Sequence, residues 1–103
     1  MPGKPDLVLP HERAVVFVHG CFWHGHHCPL FRLPGTRTGF WKEKISGNRE
    51  NDRRVQKKLS AMAWRRAIVW ECALRGKSSA EIDGVVDTLM QWLSGTLEQI
   101  DIS

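Results

Sequence analysis

The sequence predicts a fold of the α/β (α+β) class, with a small central mixed sheet flanked by helices. Short runs rich in β-branched residues have the composition of strands, and they occupy residues 6–9, 14–19 and 65–71. Two further segments repeat apolar residues at helical spacing, one at 40–63 and one that begins after Lys77. A chain of 103 residues is long enough for one domain, so we predict a single domain over residues 1–103.

The first two strands are separated by only the four residues PHER, which predicts a two-stranded hairpin. After them, residues 20 to about 39 are rich in Gly, Pro and His and lack periodicity, so we expect a long loop. A loop of this length is uncommon in a small domain unless a metal or a functional role orders it.

The first predicted helix runs from Phe40 to Ala63, with a break near Ser46-Gly47-Asn48. Its apolar stripe consists of Val55, Leu59 and Met62. Residues 65–71 then form the third strand, and a serine N-cap in RGKSS opens the last helix, which we expect to end near Gly95. The apolar stripe of that helix is predicted to be Ile82, Val85, Val86, Leu89, Trp92 and Leu93.

The composition is that of a globular chain, with 42% hydrophobic and 25% charged residues. No long apolar run and no leader-like segment is visible in the sequence, so we expect a cytoplasmic protein without a membrane partner. All fifteen Lys and Arg residues lie within residues 1–77, together with six of the eleven acidic residues. Residues 1–77 therefore either bind a polyanion such as nucleic acid or form a solvated basic surface.

The segment HGCFWHGHHC, residues 19–28, predicts a zinc site. Cys21 and Cys28 lie in it, and Cys72 follows the third strand, where a sheet can bring it beside the loop. Three thiolates and one imidazole form a closed tetrahedral set typical of structural zinc. His26 is the best fourth ligand, with His27 and His24 as competitors; alternatively, the cysteines are buried thiols that pack as small apolar groups.

Asp6 and His19 point to a second kind of chemistry. Asp6 begins one strand of the hairpin and His19 ends the other, so their side chains can meet at one edge of the sheet. A carboxylate is a suitable ligand for Mg²⁺, and an imidazole such as that of His19 or His24 can take a proton from water at neutral pH. The alternative is that Asp6 caps a strand and the two histidines are surface or supporting groups.

The aromatic residues Phe22 and Trp23 have no obvious core to join, since they lie in a Gly- and His-rich loop beside a basic surface. Either they pack over the metal, or they insert between base pairs as wedges that distort a duplex. Trp41, in another basic segment, is a further candidate for such a wedge.

Four segments of the chain resemble, in order and spacing, the very-short-patch-repair (Vsr) mismatch endonucleases of bacteria: PGKPDLVL, VFVHGCFWHGHHC, TRTGFWKEKISGN and VWECALRGK. The resemblance covers roughly residues 2–95. It implies a sheet-centred, restriction-endonuclease-like fold. It also implies an enzyme that nicks one DNA strand beside a thymine mispaired with guanine, the lesion left when 5-methylcytosine deaminates.

The resemblance also assigns roles to individual residues. Asp6 matches the aspartate that binds Mg²⁺ together with the backbone carbonyl of Val18. His24 matches the histidine that activates the attacking water, and Asp52 matches the aspartate that orients this water. His19 matches a further active-site histidine near the scissile phosphate. The structural zinc ligands correspond to Cys21, His26, Cys28 and Cys72. The aromatic wedge corresponds to Phe22, Trp23 and Trp41. Among the basic residues around 37–58 we expect Arg37 and Lys42 to contact the DNA backbone, or else to be plain surface charges.

Family members usually carry a further segment before Gly3-Lys4-Pro5-Asp6, so the chain resembles an N-terminally short member. A missing segment is expected to weaken DNA binding and to leave a sheet edge bare, which favours a homodimer or a separate N-terminal fragment as partner. The alternative function is a catalytically silent, zinc-stapled module that binds DNA or a partner.

Overall fold

The computed structural model describes residues 1–28 and 31–103 of the chain. Within these residues a four-stranded sheet has the order β1-β2-β3-β4 and carries two α-helices. The elements are β1 (Leu7–Leu9), β2 (Ala14–His19), α1 (Thr38–Ala61), β3 (Arg65–Trp70), a 3-10 turn (Glu71–Ala73), α2 (Ser79–Ser94) and β4 (Gln99–Ile102). The predicted class, a small mixed sheet with flanking helices, is confirmed.

The predicted hairpin is confirmed, since β1 pairs antiparallel with β2. Its turn is closed by the amide of Arg13, which donates to the carbonyl of Pro10 at 3.1 Å. Strand β2 then runs parallel to β3, with His19 opposite Trp70, and β3 runs parallel to β4. Because β2 and β3 are parallel and in register, their carboxyl ends lie at the same edge of the sheet. The loop after His19 and the 3-10 turn after Trp70 therefore start side by side.

Both faces of the sheet are covered, which explains why β2 is apolar along almost its whole length. On one face, Val15, Phe17 and Ile68 pack with Leu59 of α1. On the other, Val16 and its neighbours pack with Trp92 of α2. The contacts of Leu59 with the first face hold α1 against the sheet, next to the loop that follows β2.

The predicted break in the first helix is wrong, because α1 continues without interruption through Ser46-Gly47-Asn48. A single glycine in a helix costs only about 1 kcal/mol relative to alanine, and the buried side chains of Ile45 and Leu59 hold the helix on both sides of it. The helix ends earlier than predicted, at Ala61, since Ala63 adopts a left-handed conformation with φ 59°. Met62 is consequently exposed and does not extend the stripe.

Helix α2 begins as predicted, with Ser78 as N-cap in a capping box with Glu81. Four of the six predicted stripe residues face the sheet core: Val85, Leu89, Trp92 and Leu93. Ile82 and Val86 are exposed, so the prediction is wrong for them. Val86 is about 100° around the helix axis from Val85, at the margin of the stripe, and Ile82 lies in the first turn, ahead of the residues that contact the sheet.

Strand β4 was not predicted, and β3 ends at Trp70 rather than at Glu71. The segment before β4 is attached to the rest of the fold by Glu98, whose carboxylate accepts hydrogen bonds from Ser60 in α1 and Arg66 in β3. Over the two described ranges, no helix is long and apolar enough to cross a membrane.

Candidate active site and metal centre

The loop that follows β2 is folded back on itself by backbone hydrogen bonds. The amide of His24 donates to the carbonyl of Gly20 at 3.2 Å, and the amide of His26 donates to that of Cys21 at 2.9 Å. Gly25, with φ 62°, allows the close turn between them. This turn brings the histidines of one short segment to the carboxyl ends of β2 and β3.

Three cysteines and one histidine form a cluster that can hold a metal ion. The ligand atoms of Cys21, His26, Cys28 and Cys72 all lie within 4.8 Å of one another. The Sγ atom of Cys72, in the turn after β3, is 3.7 Å from Nδ1 of His26. His27 is exposed and is not a member of the cluster, so of the three candidate histidines the structure brings His26 to the thiols.

Neighbouring residues hold this cluster in place. Cys21 is buried, and its amide donates to the carboxylate of Glu71 at 3.2 Å. The ring of His26 stacks on Trp70, with centroids 4.1 Å apart and an interplanar angle of 12°. Burial raises the pKa of the Cys21 thiol to about 12; a hydrogen bond with the Cys72 backbone opposes this rise, and side-chain hydrogen bonds with Cys28 and Cys72 add to it. Metal binding at this cluster therefore requires the loss of protons.

A second cluster consists of His19, His24 and Asp52, whose ligand atoms also lie within 4.8 Å of one another. Nδ1 of His24 is 2.6 Å from Oδ2 of Asp52, which lies in α1. The rings of His19 and His24 stack, with centroids 3.9 Å apart and planes inclined by 3°. The loop, the end of β2 and the middle of α1 thus contribute one residue each.

The environment of His19 favours the neutral imidazole. The residue is buried, and burial lowers its pKa below the ordinary value, with the adjacent His24 as the next cause. Its Nδ1 atom is buried without a hydrogen-bond partner among the described residues. Buried polar atoms without partners cost about 1–3 kcal/mol and are rare in folded proteins.

Asp6 lies next to this second cluster. Its carboxylate accepts a hydrogen bond from the amide of Val18 at 2.6 Å, and its own amide donates to Val16 at 3.0 Å. Together with His19, His24 and Asp52, Asp6 lines a cavity of about 270 Å³. The structure thus brings the four predicted catalytic residues and the Val18 backbone to one cleft, although Asp6 also has the position of a strand cap.

The aromatic residues Phe22, Trp23 and Trp41 form a surface cluster. Their ring centroids lie 5.2–5.8 Å apart with edge-to-face geometry. Trp23 is 49% exposed, and its carbonyl accepts a hydrogen bond from Asn48 in α1. Phe22 and Trp41 are half-buried, so this cluster lies at the surface beside the Cys/His cluster, with Trp23 as its most exposed ring.

Arg37 and Lys42, the predicted DNA-backbone contacts, are both exposed. The guanidinium of Arg37 lies 4.5 Å from the ring centroid of Phe40, which extends the aromatic surface.

Sequence reasoning missed Phe40, Trp70 and Glu71. The run VWEC placed the last two directly before Cys72, but their contacts with the loop depend on the parallel pairing of β2 and β3.

Comparison with known proteins finds relatives over most of this chain. A family model described as DNA mismatch endonuclease Vsr matches residues 1–30. The DNA mismatch endonuclease Vsr of Escherichia coli is 50% identical over 95 residues, which is 92% of this chain and 61% of that protein. A type II nicking enzyme of Xanthomonas oryzae pv. oryzae is 46% identical over 89 residues, or 84% of this chain and 65% of that enzyme.

A type II nicking enzyme of Neisseria meningitidis serogroup A is 45% identical over 76 residues, which is 74% of this chain and 54% of that enzyme. The fold and the site define a mixed-sheet protein with two clusters of side chains that could each hold a metal ion. By its similarity to these proteins, the chain belongs to the Vsr family. It spans less than two thirds of the length of each of these relatives.

Proposed function

We propose that the protein is a magnesium-dependent endonuclease that nicks one strand of DNA at T·G mismatches. The observation that carries the proposal is the pairing of His24 with Asp52 in the cleft that Asp6 and His19 also line. The names of the relatives, a mismatch endonuclease and type II nicking enzymes, support the same class of reaction. The sheet-centred core is proposed to be of the restriction-endonuclease type.

The Cys21, His26, Cys28 and Cys72 cluster is proposed to bind structural zinc. Three sulfur donors and one nitrogen donor match the closed ligand sets of structural zinc sites. The ion would tie the loop after β2 to the turn after β3, and its binding energy would contribute directly to folding.

The carboxylate of Asp6 and the carbonyl of Val18 are proposed to hold Mg²⁺. An oxygen-only pair at the edge of a solvent-exposed cleft fits a hard cation, which usually keeps several waters. When bound, the ion supplies positive charge that offsets the negative charge developing on the scissile phosphate. The hydrogen bond from the Val18 amide orients the Asp6 carboxylate in the cleft.

His24 acts as the general base in this proposal. Asp52 accepts the hydrogen bond of Nδ1, which fixes the ring tautomer and leaves Nε2 to take a proton from the attacking water. The carboxylate of Asp52 then stabilises the imidazolium that forms. The lowered pKa of His19 keeps that ring neutral when His24 is protonated, and His19 contacts the scissile phosphate.

The aromatic cluster of Phe22, Trp23 and Trp41 is proposed to insert at the mismatch. Unstacking a base step costs a few kcal/mol, and a mispaired step is the cheapest to open, which gives the enzyme its preference. Arg37 and Lys42 would hold the phosphates on either side.

A nicking assay tests the proposal. The purified chain is incubated with Mg²⁺ and with labelled duplexes that carry one T·G mismatch or are fully paired. We expect nicking of one strand of the mismatched duplex, and loss of nicking in Asp6→Asn and in His24→Gln. The matched controls are Asp83→Asn on α2 and His11→Gln in the hairpin turn, which are exposed and do not line the cleft.

The second candidate is a catalytically silent, zinc-stapled module that binds DNA or a partner. It is favoured by the hydrogen bond between Asp6 and the Val18 amide, which strand capping explains without any metal. Binding of mismatched duplex without cleavage, unchanged in Asp6→Asn and His24→Gln, would select this module over the enzyme.

A further inference from the structure

Helix α2 carries a row of apolar side chains that the fold leaves at the surface. Ile82, Val86 and Met90 are 36%, 48% and 62% exposed. Because they are four residues apart in one helix, their side chains follow one another along one flank of it. This α2 stripe is therefore a second apolar strip, beside the one that packs on the sheet.

The stripe lies on the flank of α2 that faces away from the last strand. Thr88 and Gln91, on the other flank, line a cavity of about 220 Å³ together with Ile100 of β4. At about 100° per residue, Val86 and Met90 lie on the opposite side of the helix residues that contact the sheet. The stripe therefore faces the side on which β2 and β1 lie.

The sheet also exposes apolar residues on this side. Val18 follows Val16 at the two-residue spacing of a strand, and Leu7 is the cross-strand partner of Val16. Val16 packs in the cluster that contains Trp92 of α2, so all three strand residues point to the α2 side. Val18 and Leu7 are nevertheless exposed. Extended apolar surface of this kind marks interaction sites in soluble proteins.

The charge beside the stripe is negative. Asp83 and Asp87 directly follow Ile82 and Val86 along the helix, and both are exposed. Neither carboxylate is in an ion pair with another residue of the described ranges. Residues 78–103 contain five acidic and no basic residues, whereas the whole chain has a formal net charge of +4. The negative surface is therefore local to this side of the protein.

This charge decides between possible occupants of the stripe. Symmetric pairing of two copies through α2 would bring the same flank of each helix together, so that Asp83 and Asp87 of one copy met those of the other. Like charges brought together across an interface disfavour the contact. DNA and anionic lipid surfaces would be repelled for the same reason. A helix with cations beside an apolar face satisfies both the stripe and the carboxylates.

We propose that the α2 stripe, with Asp83 and Asp87 beside it, is a docking surface for an amphipathic helix of another protein, and that the polar face of this helix is basic. Apolar residues of the partner three and four positions apart pack along the stripe, and its Lys or Arg residues pair with the two carboxylates. The flexible side chain of Met90 adapts to the shape of the partner.

The docking surface and the proposed catalytic cleft lie on opposite faces of the sheet. Asp52 of the cleft belongs to α1, which packs on the face that contains Phe17. Helix α2 packs on the face that contains Val16. A partner helix on α2 therefore leaves the cleft open to DNA, and the proposal does not rest on the proposed function.

The test uses three fluorescently labelled synthetic peptides of about 18 residues, long enough for several helical turns. The first has leucines at the i, i+3, i+4 and i+7 spacing and Lys or Arg at the other positions. The second has the same leucines with Glu in place of the cations. The third has the composition of the first, with the leucines scattered around the helix. Fluorescence anisotropy gives Kd for the full chain, and thermal melting checks that each variant folds.

We expect the wild type to bind the first peptide at least about 10-fold more tightly than either of the others, because only the first offers both the apolar face and the cations. Val86→Ser/Met90→Ser should weaken this binding by about 10-fold or more, since serine removes most of the apolar surface of both side chains. The control Met62→Ser/Leu97→Ser removes two exposed apolar side chains outside the stripe and should bind as the wild type does.

A second pair of variants tests the charge. Asp83→Asn/Asp87→Asn should weaken binding of the first peptide by about 3-fold to 10-fold at low salt, and the difference should disappear at high salt because surface charges are screened. Glu12→Gln/Glu43→Gln removes two exposed carboxylates elsewhere and should change Kd little.

Equal affinity for the three peptides, wild-type affinity in Val86→Ser/Met90→Ser, or equal weakening in the Met62→Ser/Leu97→Ser control would each overturn the proposal. Sedimentation velocity of the chain alone tests the second copy as occupant. A dimer that Val86→Ser/Met90→Ser dissociates would mean that the stripe pairs with itself, and would also overturn the proposal. None of these measurements involves DNA cleavage, so their outcome is separate from that of the nicking assay.

Discussion

Asp52 and His24 are separated by 28 residues in the chain, yet Oδ2 of Asp52 lies 2.6 Å from Nδ1 of His24. Helix α1 provides the carboxylate and the loop after β2 provides the imidazole. Such a pair gives the ring one defined tautomer, which is the condition for a general base at neutral pH.

Asp52→Asn is expected to lower kcat for nicking by about 100-fold or more, with little change in DNA binding. The amide carries no charge to stabilise the imidazolium, and it can donate to Nδ1 as well as accept from it; donation moves the imidazole proton to Nε2 and removes the base. Single-turnover nicking and binding of the mismatched duplex measure the two effects separately. Asp87→Asn, an exposed position on α2, is the matched control and should behave as wild type.

His26→Asn is expected to abolish stoichiometric zinc binding and to lower Tm by more than about 10 °C, since the metal contributes to folding. The neighbouring His27→Asn should keep both the metal and Tm, because His27 is not part of the cluster. Elemental analysis and thermal melting provide the measurements. Cys72→Ser should resemble His26→Asn, and its retention of zinc and of Tm would refute the zinc assignment.

The affinity of this cluster for zinc is expected to rise with pH. The pKa of Cys21 is raised to about 12, so the thiol is protonated near neutral pH and must release its proton when a metal binds. Lowering the pH therefore favours the metal-free form. Competition with a chromophoric chelator across the neutral range measures this dependence, and a pH-independent affinity would contradict it.

Local patterns predicted the features that depend on neighbours in the chain. The four-residue connection PHER predicted the hairpin, and Ser78 with Glu81 predicted the start of α2. The proximity of Cys72 to the loop after β2 was also predictable. Strands β2 and β3 pair in parallel along their whole length, so the residues that follow the two strands start side by side.

Features that depend on distant contacts were not predictable in the same way. The break at Gly47 was predicted from local composition, but the packing of Ile45 and Leu59 keeps α1 continuous. Strand β4 has only four residues, and two of them are polar, so its signal is weak. Asp52 carries no local sign of its contact with His24, and only the resemblance to a family pointed to it.

Two glycine substitutions are expected to have opposite effects on stability. Gly25→Ala should lower the free energy of unfolding by about 2–3 kcal/mol, because the position has φ 62° and the new methyl group would meet Ile45 at 2.8 Å. Gly47→Ala should raise it by about 0.5–1 kcal/mol, since the site is inside α1 and a β-carbon there meets no described atom within 4 Å. Urea unfolding measures both; stabilisation by Gly25→Ala would mean that the loop does not pack on α1 as described.

The carboxylate of Glu98 connects three elements of the fold. One of its oxygens accepts hydrogen bonds from Ser60 in α1 at 2.7 Å and from Arg66 in β3 at 3.1 Å. The Arg66 side chain is only 7% exposed, so Glu98 provides the counter-charge of a nearly buried guanidinium. The hydrogen bond from Ser60, followed by the effect of Arg66, lowers the pKa of Glu98 below its ordinary value of 4.5.

Glu98→Gln is therefore expected to lower Tm at neutral pH and to have a progressively smaller effect in acid. Because the folded protein holds this carboxyl at a lowered pKa, its stabilisation is fully present above about pH 4.5 and is lost as the pH falls through the lowered value. Thermal melting of wild type and variant from neutral pH into acid gives the difference directly. Glu43→Gln, an exposed position on α1, should leave Tm unchanged throughout. A difference that grew towards acid pH would mean that Glu98 stabilises the fold in its protonated form, contrary to the hydrogen bonds it accepts.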